Sequence, residues 1–169
     1  EEVRDSVLNA CGTINLAMGG QSVTPPVPDI VLAGSSVKGK GWGPCTPEQA
    51  NRTSVYVKVM RSMQMPLLIN HDMADTDSTC PVRFNTTVPT QALNMLNGKF
   101  MNDSAKSFAN RLRTEAGKEP KKQVEHALKL VFSRSPQMYE INAGVEMMKY
   151  MKNEFSLSEE EAIDRFAVL

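Results

Sequence analysis

The run His71-Asp72-Met73-Ala74-Asp75-Thr76-Asp77-Ser78-Thr79-Cys80-Pro81-Val82-Arg83 gathers three carboxylates, an imidazole, a thiol and a guanidinium into one short stretch. Beside His71, the carboxylates of Asp72, Asp75 and Asp77 are hard oxygen ligands, spaced so that a loop can wrap a calcium ion. The pattern lacks the glycine turn and distal glutamate of an EF-hand loop. The competing reading is therefore a structural loop, in which Asx-turns and salt bridges form around Arg61 and Arg83. Asp72 with Asp75 or Asp77 also has the residue types of a hydrolytic acid-base pair. Cys80 near His71 has those of a nucleophile and its base. No oxyanion-hole signature accompanies the thiol, and a cysteine before Pro81 fits a packed turn or a disulfide partner.

Chemistry elsewhere is sparser. Ser35-Ser36-Val37-Lys38-Gly39-Lys40-Gly41 has the composition of a phosphate-binding loop in the wrong order, and reads as a flexible loop. Cys11, Cys45 and Cys80 form no Cys-x-x-Cys pair, which excludes zinc ribbons, redox dithiols and c-type haem attachment within the chain. They read as buried small residues, or as one disulfide plus one thiol in an oxidising compartment. The methionines Met60, Met63, Met65, Met147, Met148 and Met151 are expected to fill core, although a methionine can also ligate a haem held on a separate domain. His126 is expected at the surface. Asn51, Asn85 and Asn102 head glycosylation sequons, relevant only in a eukaryotic secretory setting.

The elements that position these groups can be read from periodicity and punctuation. Val3, Val7, Cys11 and Ile14 predict one amphipathic helix to about residue 16, with Arg4 and Asp5 on its wet side and Met18-Gly19-Gly20 as its stop. Residues 21–52 are rich in Pro, Gly and Ser and predict a long irregular loop anchored by Trp42. Ser54-Val55-Tyr56-Val57-Lys58-Val59-Met60 alternates and predicts a short strand or extended segment, which Pro66-Leu67-Leu68-Ile69 prolongs. Pro89 opens a helix with Leu93, Leu96 and Phe100 as its buried stripe and Gly98 near its end. Asn102 or Asp103 caps the next helix, which carries Ala105, Phe108, Ala109, Leu112 and Ala116 and stops at Gly117. Pro120 starts a helix with Val124, Leu128, Val131 and Phe132 inside. Ser135-Pro136 separates it from one with Ile141, Val145, Met148 and Phe155 inside, and Ser158-Glu159-Glu160-Glu161 is a capping box for a last helix through Ile163 and Phe166. The fold class is mainly α, with a helical bundle in the C-terminal half and an irregular N-terminal half.

At 169 residues with 41% hydrophobic content the chain has the size and composition of one globular domain. We read residues 1–169 as a single domain, cut at both ends from a larger multidomain protein. Formal net charge is zero, which removes the broad electrostatic attraction behind non-specific nucleic-acid or anionic-membrane binding. No apolar run is long enough for a membrane span.

The order of segments carries a resemblance. Arg4-Asp5-Ser6 leads to Met18-Gly19-Gly20, then Arg52-Thr53-Ser54-Val55-Tyr56-Val57, then Asp75 to Arg83 as quoted above. Thr87-Val88-Pro89-Thr90-Gln91-Ala92-Leu93-Asn94-Met95-Leu96-Asn97 follows, and Arg134-Ser135-Pro136 with Glu140 closes the series. Through essentially its whole length the chain resembles the planctomycete PSD-type domain of unknown function, a C-terminal domain of large secreted, often cytochrome-c-associated proteins. That resemblance implies an extracytoplasmic address, periplasmic or cell-surface, and haem only on a separate domain of the full-length protein. It carries over no activity and no catalytic residues. The implied partners are other domains of the same polypeptide, or an extracytoplasmic protein or glycan. Two functional readings remain: a non-catalytic interaction or scaffold domain, and a hydrolase or glycan-processing module that uses loop 71–83, with or without a divalent cation. The lack of a complete catalytic constellation favours the first.

Overall fold

The computed structural model describes residues 1–35, 39–76, 79, 82 and 86–168. The protein is mainly helical, and its contacts divide it into two compact units, residues 1–9 with 13–94 and residues 10–12 with 95–169.

Unit 1 is irregular. Helix α1 (Glu2–Ala10) is shorter than its apolar repeat predicts. It stops because Gly12 adopts φ +70°, and Thr13 and Ile14 donate their backbone N–H groups back to Leu8 O. Its buried face is Arg4 and Leu8, one residue round from the expected Val3 and Val7 stripe, so Arg4 is not on the wet side. Residues 21–52 contain two short helices, α2 (Asp29–Gly34) and α3 (Pro47–Ala50), the second closed by a Thr46 and Gln49 capping box. Trp42 pins this segment to itself, its Nε1 donating to Pro25 O at 2.9 Å.

The expected strand is realised only as isolated bridges, at Val57 and at Met60, which pairs antiparallel with Met63. Ser54–Tyr56 is a 3-10 turn, and Val57 pairs with Val23 as an isolated parallel bridge, through Val23 N to Tyr56 O and Lys58 N to Val23 O, both 2.8 Å. The alternation does not carry into burial: Val55, Val57 and Val59 would share one face of a strand, yet Val57 is buried while Val55 and Val59 are exposed. No neighbouring strand runs alongside to extend the pairing among the described residues. Pro66-Leu67-Leu68-Ile69 does not prolong it either: Pro66 occupies the first turn of helix α4 (Pro66–Asn70), which buries Leu67 and Leu68.

Helix α5 (Pro89–Asn97) starts at the predicted proline, but Leu93 and Leu96 are exposed rather than a buried stripe. The helices of unit 2 follow their punctuation closely. Helix α6 (Lys99–Ala116) is capped by Gly98, not by Asn102 or Asp103; Asn102 Nδ2 donates to Gly98 O and Asp103 pairs with Lys99 inside the first turn. It buries Ala105, Phe108, Ala109 and Leu112 and ends at Gly117, where φ is +73°. Helix α7 (Pro120–Phe132) buries Val124 and Ala127, whereas Val131 and Phe132 near its end face solvent. Helix α8 (Met138–Glu154) buries Ile141, Met148 and Met151, and Phe155 just beyond it is exposed. Helix α9 (Glu159–Phe166) has the predicted capping box: Ser158 Oγ accepts from Glu161 N, and Glu161 Oε2 accepts from Ser158 N. Helix α7 packs on α6 and α8, and α9 on α8 and α6, closing a bundle around Leu112, Val124 and Ile163.

Candidate functional site

The acidic run begins where α4 ends. His71 is the C-cap of that helix, and its Nδ1 lies 2.9 Å from Leu67 O, a bond to the preceding turn. Asp72 adopts φ +56°, a left-handed conformation that aspartate tolerates better than most residues. That turn aims its carboxylate at Thr86: Oδ2 accepts the Thr86 N–H and Oδ1 the Thr86 hydroxyl, each at 2.7 Å. These two bonds hold the Asp72 carboxyl below its ordinary range. Thr76 is tied down from the other side, its carbonyl accepting from Arg61 Nε at 3.2 Å and its hydroxyl from Gln64 Nε2 at 2.7 Å. Asp75 is exposed. Asp77, Cys80 and Arg83 lie outside the described residues, as do Pro81, Asn85 and the middle of the glycine-rich loop at 36–38.

Of the residues singled out, Asp72 is thus brought to Thr86, and Arg61 to the backbone of the loop. Both bonds do what an Asx-type structural loop does, which is to satisfy backbone groups where regular structure stops. Among the described residues no group of three or more His, Cys, Asp or Glu side chains could hold a metal ion. Cys11 and Cys45 carry free thiols. Burial, opposed in part by Arg111, pushes the Cys11 thiol up to about 11, and Cys11 Sγ lies 3.1 Å from Ser104 O in unit 2, so it is packed and unreactive.

Two arginines that the spacing hides organise unit 1. Arg4 is 1% exposed. Its guanidinium donates to Arg52 O at 2.9 Å, to Ala50 O and to Ser54 Oγ at 3.1 Å. Asp5 completes the joint by accepting from Ser54 N and Ser54 Oγ, at 2.8 and 2.7 Å. Arg52 does the same one layer on, donating to the carbonyls of Ala17, Gly19 and Gln21 while its guanidinium lies 3.8 Å from the Tyr56 ring centroid. Gly19 and Gly20, at φ +76° and +81°, turn this segment toward the cation, and Tyr56 Oη accepts the Gly19 N–H. The one local signal was the i, i+4, i+7 spacing of Arg4, Leu8 and Cys11 on a single buried face.

On unit 2, α8 has two faces. Ile141, Met148 and Met151 point inward, and Tyr139, Met147 and Tyr150 share the opposite, exposed side, with Phe132 and Met138 exposed at the turn before it. Arg134 locks that turn through a two-pronged pair with Glu140, at 2.9 and 2.6 Å. Glu140 also accepts the Gln137 N–H at 2.7 Å. Together these hold the Glu140 carboxyl down to about 2, the arginine contributing most.

Among the described residues no helix is long and apolar enough to cross a membrane. No curated protein and no solved structure matches the chain. A family model does, over residues 1–148, and it is described as PSD1, protein of unknown function (DUF1553). That match covers every segment on which the resemblance rests, from Arg4-Asp5-Ser6 to Arg134-Ser135-Pro136 and Glu140. The chain therefore belongs to the PSD1 (DUF1553) family of proteins of unknown function.

Proposed function

We propose that the chain is a non-catalytic interaction or scaffold domain of a larger extracytoplasmic, haem-domain-associated bacterial protein. The observation that carries this reading is the outer face of α8 and the turn before it, where Tyr139 is 72% and Tyr150 61% exposed beside Met138 and Met147. Aromatic and methionine side chains are the types enriched in protein interfaces, because they supply large contact areas for few frozen torsions. The polar groups of the acidic loop support the same reading from the other direction, since Asp72 and Arg61 are spent on Thr86 and Thr76. The occupant of the α8 face in this reading is another domain of the same polypeptide. The extracytoplasmic address and the haem-bearing neighbour rest on the family resemblance. Hydroxyl-radical footprinting of the full-length protein beside the isolated chain tests the proposal. Tyr139, Met147 and Tyr150 are expected to be labelled several-fold less in the full-length protein; equal labelling overturns it.

A further inference from the structure

Unit 2 contains a cavity of about 680 Å³ that the packing of its helices leaves open. Its floor is apolar. Met148 from α8 and Ala162 and Ile163 from α9 line it although each is almost wholly buried, and Val145 and Pro120 extend the same surface. Val145, Met148, Lys149 and Lys152 stand at i, i+3, i+4 and i+7, so one face of α8 passes from floor to rim.

The rim is basic. Lys152 is engaged by Glu159 at 3.0 Å, Glu119 by Lys122 at 2.7 Å, and Arg113 by Asp164 at 2.5 Å. Outside these pairs the lining holds three ammonium groups, on Lys118, Lys121 and Lys149, against the single carboxylate of Glu160. The three lysines come from the α6–α7 turn, the first turn of α7 and the middle of α8, so separate elements converge on one opening.

We propose that this cavity binds a small amphipathic organic anion, with its apolar body on the Met148 and Ile163 floor and its carboxylate or sulfonate held by Lys118, Lys121 and Lys149. The volume is that of a small-molecule site, and the combination of an apolar wall with a few convergent charges is the usual composition of one. An inorganic anion leaves the floor unused. A neutral apolar molecule leaves the excess positive charge uncompensated, and a cation is repelled by it.

Calorimetric titration of the chain with decanoate at low salt tests this, with acetate and 1-decanol as the charge-only and apolar-only probes. One saturable decanoate site is expected, weaker by about tenfold or more in the Lys118→Glu/Lys121→Glu/Lys149→Glu variant and weakened by added salt. Decanol binding is expected to be unchanged by the substitutions, and acetate is expected to give no saturable heat. The three positions are solvent-exposed, and circular dichroism checks that the variant keeps its helices. In methyl-labelled protein the Met148 resonance should move with decanoate while that of Met138 stays. Absence of saturable decanoate binding, equal affinity in the charge-reversed variant, or binding that leaves Met148 unmoved would each overturn the proposal.

Discussion

Arg4 sits where a sequence pattern puts solvent and the fold puts core. A guanidinium carries five donors in a planar fork, so one side chain can serve two carbonyls and a hydroxyl that come from different turns of the chain. Burial disfavours its charged form, which the neighbouring Asp5 carboxylate favours. Removing the cation while leaving Ala50 O and Arg52 O buried strands both acceptors. Arg4→Met is therefore expected to cost about 3 kcal/mol in urea unfolding, as breaking one side of a buried charge network does. Arg4→Lys should recover little of it, because a single ammonium cannot span the same three acceptors; wild-type stability in the lysine variant would refute the clamp. Glu140 makes the complementary point at the surface. Its carboxyl titrates near 2 in the folded chain against an ordinary value of 4.5. A depressed folded value means that its contribution is complete above 4.5 and is lost as pH falls toward 2. The stability difference between wild type and Glu140→Gln should accordingly be constant from pH 7 to 5 and vanish between 4.5 and 2. Unfolding curves collected across that range check it, and a difference that persists at pH 2 contradicts the ion-pair account.

Helices α7 and α8 approach each other at Gly144 more closely than any side chain allows. A Cβ there would lie 2.6 Å from Val124 Cγ1 and 3.4 Å from the Phe166 ring. Alanine gains about 1 kcal/mol of helix propensity over glycine, but forcing a methyl into a packed interface costs about 1–3 kcal/mol. Gly144→Ala is thus expected to destabilise by about 1 kcal/mol rather than stabilise, and Val124→Ala in the same chain should relieve the clash, giving a coupling of about 1 kcal/mol or more in a double-mutant cycle. Additive effects would show that the two positions do not meet. The same elements explain what could be read beforehand. Pro120, Gly117 and the Ser158 and Glu161 box act within one helical turn, so α6, α7 and α9 start or stop where the letters say. Leu93, Leu96, Val131 and Phe132 misled, because periodicity reports an apolar stripe and not whether anything covers it. In unit 1 the joints run from Arg4 to Ala50 and from Arg52 to Ala17, dozens of residues apart, and no local pattern encodes which carbonyl a guanidinium will find.

For the molecule as a whole, the acidic loop was legible as a dense polar segment, and its attachment was not, since the bond from Asp72 to Thr86 depends on a left-handed turn at an aspartate. The cavity was invisible for a related reason: Lys118, Lys121 and Lys149 are ordinary surface lysines until the bundle brings them together. Charge balance also has a consequence on this scale. Nineteen acidic residues cancel nineteen basic ones at neutral pH, so protonating carboxylates leaves the basic charge unopposed. Four carboxyls among the described residues are held below their ordinary values: Asp72 in unit 1, by Thr86, and Glu115, Glu140 and Glu161 in unit 2, chiefly by His126, Arg134 and the Ser158 N–H respectively. For each the sign is the same. The unfolded chain takes up the proton first, so stability is at its plateau above the ordinary carboxylate range and declines as pH drops through it. With three of the four in the helical bundle, acid should loosen unit 2 at a higher pH than unit 1. In a methyl-labelled sample titrated from pH 7 to 2, the resonances of Leu112, Val124 and Ile163 are expected to lose their folded dispersion before those of Leu67 and Leu68. Simultaneous loss, or loss in unit 1 first, would mean that these depressed carboxyls do not set the order in which the fold gives way to acid.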